Sequence, residues 1–160
     1  MSAQALNRRG LFRQARGLGE VRRPPWTAED FTDSCTRCEA CISACPEGIL
    51  FRGDGGFPEI SFRQDGCTLC GECVQVCEDG VFDTAREPFP WRAAVQSHCL
   101  ARAGIHCQSC QDACEVSAIR FPLKPGQIPR PELDADLCNG CGACLAACPN
   151  DAIALEVPRE

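Results

Sequence analysis

The chain contains no tyrosine, and only two tryptophans and eight phenylalanines among its 160 residues. So few large apolar side chains do not fill the interior that one or two domains of this length ordinarily build. The hydrophobic fraction of 44% does not contradict this, because it includes 16 cysteines. Other staples must supplement a thin core. Also lacking is a glycine-rich phosphate loop, and neither His98 nor His106 has an evident nucleophile or orienting partner. The chain is therefore not expected to be an enzyme. Positive charge is scarce outside the N-terminus. Arg8, Arg9, Arg13, Arg16, Arg22 and Arg23 oppose the single acid Glu20 in the first 23 residues, about +5, against about −11 for the remainder and −6 overall. An acidic body argues against nucleic acid as a partner.

The N-terminal Arg8-Arg9-Gly10-Leu11-Phe12 looks like the start of a twin-arginine export signal. The apolar stretch that such a signal requires is absent, and Arg13, Gln14, Arg16, Gly17, Gly19 and Glu20 follow instead. Retention in the cytoplasm is the expectation. Leu6, Leu11, Phe12, Ala15 and Leu18 can line one side of a short basic helix suited to peripheral membrane contact or a partner groove. Gly10, Gly17 and Gly19 favour a frayed terminus. Pro24-Pro25 marks the end of this arm, assigned to residues 1–27.

What is abundant is cysteine, in a fixed rhythm. Cys35, Cys38, Cys41 and Cys45, then Cys67, Cys70, Cys73 and Cys77, and finally Cys138, Cys141, Cys144 and Cys148 each follow the C-x2-C-x2-C-x3-C spacing. A fourth, irregular copy runs Cys99, Cys107, Cys110 and Cys114, and the four copies use every cysteine in the chain. Three thiolates on a tight loop match three corners of a cubane, and the later fourth points to a neighbouring one, so this spacing predicts 4Fe-4S clusters. A disulfide scaffold fits poorly: such clustering places neighbours badly for bridging, and no secretory signal is present. Zinc ordinarily takes two C-x2-C pairs a dozen or more residues apart. The three regular motifs predict three clusters, and the irregular motif, whose first gap spans seven residues, is the candidate for a fourth.

Gly71, Gly140 and Gly142 suit loops in which backbone amides approach sulfur closely, at times with positive φ. Pro46 and Pro149 follow the last cysteine of the first and fourth motifs, whereas Glu78 and Glu115 follow the others, which predicts a less rigid turn there. Ile49–Arg52 and Ile60–Phe62, around Gly53-Asp54-Gly55-Gly56, predict a hairpin over the first motif, with Val81-Phe82 as a matching strand. Ile119–Phe121 and Ile128–Leu133 flank a proline-rich turn, and Ala152–Val157 closes the chain as a strand. Pro88 and Pro90, within Thr84–His98, mark the expected boundary. The fold class is α+β: tandem bacterial-type dicluster ferredoxin-like units, small and loop-rich, at 28–93 and 94–160. Consecutive pairing sends Cys45 to the second loop and Cys77 to the first; nested pairing joins the first motif with the fourth and the second with the third. Similar gaps between motifs favour the consecutive form.

The chain also resembles one family, the NapF ferredoxin-type proteins associated with periplasmic nitrate reductase systems. The resemblance is carried by Arg23–Trp26, the loop Cys35–Cys41, Arg52–Pro58, Cys99-Leu100-Ala101 with its long gap to Cys107–Glu115, and Leu137–Cys144. It implies a cytoplasmic iron–sulfur accessory protein. Its partner would be the precursor of the nitrate reductase catalytic subunit, and its task the maturation of that subunit before export, by supplying electrons or cluster components. The same ligands equally suit a polyferredoxin that carries single electrons to a membrane or reductase partner.

Overall fold

The computed structural model describes residues 21–158; the apolar stripe from Leu6 to Leu18 and the Arg8-Arg9 pair lie outside them. Every regular element is short, because cysteine loops, prolines and turn glycines interrupt the chain before a helix or strand can extend. Helical turns cover Phe31–Ser34, Ala40–Ala44, Glu72–Gln75, Ser109–Asp112 and Ala143–Ala146. Such lengths are far below what an isolated helix needs. They form only because something else holds their ends.

The two halves repeat one plan, a mixed helix–strand unit. In the first, β1 (Leu50–Arg52) and β2 (Pro58–Ile60) form the predicted antiparallel hairpin, with Leu50 opposite Ile60. The segment before the first motif meets the segment after the second through a single bridge, Thr27 to Phe82, so Val81-Phe82 contributes one pair rather than a full strand. Pro24 and Pro25 are buried, and the Trp26 amide donates to the Pro88 carbonyl at 2.9 Å. The end of the basic arm is thus built into the fold. The Arg23 guanidinium lies over the Phe31 and Phe57 rings, 5.4 and 5.3 Å from their centres, an attraction of cation to ring face.

In the second half, β4 (Ile119–Arg120) pairs with β5 (Glu132–Leu133), the hairpin across the proline-rich turn. Ahead of the third motif, β3 (Arg92–Val95) pairs antiparallel with β6 (Ile153–Glu156), Val95 opposite Ile153. This pairing is the fuller counterpart of the Thr27–Phe82 bridge. β3 straddles the expected boundary at residues 93 and 94, and all of it pairs within the second unit.

The proline-bracketed stretch expected as a boundary supplies the centre of the molecule. Phe89 is 1% exposed, stacks on Trp91 at 4.9 Å and meets Phe62 edge-on at 6.1 Å. The Trp91 indole N–H donates to the Gly140 carbonyl at 2.9 Å. Phe62 belongs to the first unit and Gly140, which Trp91 holds, to the second, so one aromatic cluster ties both together. Phe89→Ala is therefore expected to cost about 3–5 kcal/mol, read as an earlier denaturant midpoint for the iron-loaded protein under anaerobic conditions. A loss below about 1 kcal/mol would contradict this central role.

Candidate iron–sulfur sites

The motif loops share a backbone path that explains their spacing. The second residue between the first two cysteines is left-handed in all three regular loops: Arg37 (φ 63°), Leu69 (φ 55°) and Gly140 (φ 76°). The residue after the second cysteine repeats this, at Glu39 (φ 65°), Gly71 (φ 79°) and Gly142 (φ 80°). The two reversals wrap the loop around a hollow and turn its first three thiols inward. Arg37, Leu69 and Glu39 hold a conformation that L side chains rarely adopt.

A helical turn follows, with the third and fourth cysteines four residues apart, about 6 Å along its axis. The fourth cysteine therefore leaves its own loop and reaches the next site. Four hollows result. The first is lined by Cys35, Cys38, Cys41 and Cys77, and the second by Cys67, Cys70, Cys73 and Cys45. The third is lined by Cys99, Cys107, Cys110 and Cys148, and the fourth by Cys138, Cys141, Cys144 and Cys114. Motifs thus pair consecutively, first with second and third with fourth, each exchanging its last cysteine. The nested alternative is not the arrangement the structure adopts.

The irregular motif closes its hollow by a different path. Cys99 is buried and lines the third hollow despite its distance from Cys107 in sequence. Its excursion coils back on itself: the Ala103 amide donates to the Cys99 carbonyl at 3.0 Å, and Ile105 to Leu100 at 2.9 Å. Gln108 has φ −135°, so this loop lacks the left-handed residue that its counterparts place after the second cysteine. The hollow is nonetheless lined by four cysteines, as are the other three. His98 and His106 are both exposed, and His98 Nε2 lies 3.3 Å from the Asp151 carbonyl, away from the thiols.

The turn after each fourth cysteine is kept whether or not proline follows. Three residues on, Gly48, Gly80, Ser117 and Asp151 all have positive φ, from 49° to 67°. The turn therefore takes the same conformation after Glu78 and Glu115 as after the two prolines. In the second unit the turn aims amides at sulfur: Ala118 N–H donates to Cys114 Sγ and Ala152 N–H to Cys148 Sγ, both at 3.2 Å. Ala93 N–H reaches Cys138 Sγ at 3.4 Å. Such bonds stabilise negative charge on sulfur and tune a cluster's potential. Thr36 clasps the first site from outside, donating from its amide and hydroxyl to Asp79 Oδ2 at 3.0 and 2.7 Å. These bonds hold the Asp79 carboxyl below its usual range.

Without iron these sites resist charge. Burial, reinforced by neighbouring thiols, pushes Cys73 and Cys144 up to about 12. Burial also raises Cys41, Cys67 and Cys110 to about 11. At neutral pH these thiols are protonated, and a positively charged metal centre must displace the protons. Among the described residues no group of three His, Cys, Asp or Glu closes tightly enough for a single metal ion. The thiols surround a space instead, and that space suits a polynuclear cluster rather than zinc.

The fold and its sulfur-lined hollows define a tandem dicluster ferredoxin. The model of the 4Fe-4S dicluster domain matches residues 34–81 and again 105–152, and the protein is an iron–sulfur protein of that class. Cys99 lies outside the second match; only the folded excursion reveals its place. The chain is 47% identical over 137 residues to the ferredoxin-type protein NapF of Haemophilus influenzae, covering 83% of this chain and 77% of that one. It is 43% identical over 138 residues to NapF of Escherichia coli K12, covering 84% of each. A more distant relative is the methylamine utilization ferredoxin-type protein MauM of Paracoccus denitrificans, 28% identical over 160 residues, covering 86% of this chain and 71% of that one. The chain belongs to the NapF family of ferredoxin-type proteins.

Proposed function

We propose that the four hollows each hold a 4Fe-4S cluster, ligated by the cysteines that line them. The observation that carries this reading is the third hollow, lined like the others by four cysteines and completed by Cys99 and Cys148. When bound, the clusters supply reversible one-electron chemistry. The residues of the chain hold the sulfurs, limit water and direct amides at Cys114, Cys138 and Cys148.

The protein acts in the cytoplasm, within the periplasmic nitrate reductase system. There it assists maturation of the catalytic subunit before export, by binding the precursor and supplying electrons or cluster components. Family membership supports this role, and the acidic body offers a surface for recognition. No helix among the described residues is long and apolar enough to cross a membrane. The chain is an accessory protein and not a catalyst. A second reading, a polyferredoxin electron carrier, is favoured by the contact between the second and fourth motif loops, where the Cys67 amide donates to the Cys141 carbonyl at 2.8 Å.

The test has two parts. Anaerobically purified protein is expected to contain about 16 iron and 16 sulfide per chain, four of each per cluster, and to retain the catalytic-subunit precursor in a pull-down. Equal nitrate reductase activity in cells lacking the chain would overturn the maturation role. Fast electron exchange with a quinol-oxidising complex, without precursor binding, would favour the carrier.

A further inference from the structure

The spatial order of the sites differs from their order in the chain. Within each unit the two sites sit at opposite ends of short helical turns. Cys41 lines the first hollow and Cys45 the second, while Cys110 lines the third and Cys114 the fourth. Between units, contact is made by the second and fourth loops. The Cys67 amide donates to the Cys141 carbonyl at 2.8 Å. A Cβ on Gly66 would stand 2.6 to 2.7 Å from the Cβ, Cα and N of Ala143, and one on Gly142 would overlap the Phe62 ring. Gly142 also requires φ 80°. These two glycines are what allow the loops to meet.

We propose that the four sites form one electron-conducting line in the order first, second, fourth, third, with the Cys67–Cys141 contact as its central link. The inference rests on the four-cluster reading above. From Cys67 Sγ the path runs through that residue's Cβ, Cα and N–H, crosses the single hydrogen bond to the Cys141 carbonyl, and continues to Cys141 Sγ. Both thiols line their hollows, so the path joins one site to the other. One electron leaves the second site, oxidising it, and reduces the fourth; no bond is made or broken. A low-potential one-electron donor supplies the electron at one end. The first and third sites are the termini, where partners exchange electrons.

The experiment uses the full, iron-loaded chain, anaerobically reduced with dithionite, with iron assayed on each sample and magnetic interaction read by electron paramagnetic resonance. Cys107→Ser, which removes the third site, is expected to preserve the splitting between units. Cys138→Ser, which removes the fourth, is expected to leave the first and second coupled and the third as an isolated, unsplit signal. Gly66→Ala touches no thiol and is expected to diminish the splitting between units while iron is retained. The line is overturned if the third signal stays split without the fourth site, if the splitting between units disappears with the third, or if Gly66→Ala leaves it unchanged. Native protein with a full iron load but no splitting between units overturns the line alone; a load below four clusters overturns the four-cluster reading with it.

Discussion

Stripping the iron from this chain anaerobically with a chelator is expected to unfold it. Its helical turns span four or five residues and its strands two to four, none of which persists alone in water. Among the described residues the largest fully buried side chains are Phe89, Ile119 and Pro24, and four of the residues in the apolar core, Cys73, Cys99, Cys110 and Cys144, are themselves thiols. Each hollow ties together segments distant in sequence, as Cys35 is tied to Cys77 and Cys99 to Cys148. Releasing those ties frees long loops at once, and the net stability of a domain is only about 5–15 kcal/mol. Removal is expected to abolish the far-ultraviolet circular dichroism signal and any cooperative thermal transition. An iron-free, colourless chain that kept both would show that the apolar core suffices, and would remove the case for the clusters as organisers of this fold.

Double substitutions among the cysteines should separate by hollow rather than by motif. Cys38 and Cys77 line one hollow, whereas Cys70 and Cys77 belong to one motif but line different hollows. Cys38→Ser combined with Cys77→Ser is expected to lose about a quarter of the iron, little more than either change alone, because both disable the same cluster. Cys70→Ser combined with Cys77→Ser is expected to lose about half. Iron and sulfide assays on anaerobic protein decide the matter. The reverse pattern would mean that each motif keeps its own fourth cysteine.

Much of the site was legible before folding was considered, because a tight loop is a local object. Cysteines three residues apart, with glycine at 71, 140 and 142, prescribe the loop and its contents. The hairpin around residues 53 to 56 was legible for the same reason, since turn glycines act on their immediate neighbours. β3 was not: Arg92–Val95 follows two prolines, and the partner that makes it a strand lies some sixty residues away, at Ile153–Glu156. Cys99 was legible as a thiol but not as an equal member of its site, because its distance from Cys107 is absorbed by a coil whose hydrogen bonds exist only in the folded excursion.

The amino-acid sequence by itself therefore determined the inorganic occupant and its number of available ligands, since those depend on residue type and short-range spacing. Only the tertiary structure decided which fourth cysteine completes which hollow, that the irregular motif closes like the rest, and that the second loop meets the fourth. These are contacts between segments far apart in the chain. They depend on complementary shapes, the gaps at Gly66 and Gly142 filled by Ala143 and Phe62, which no periodicity in the sequence records.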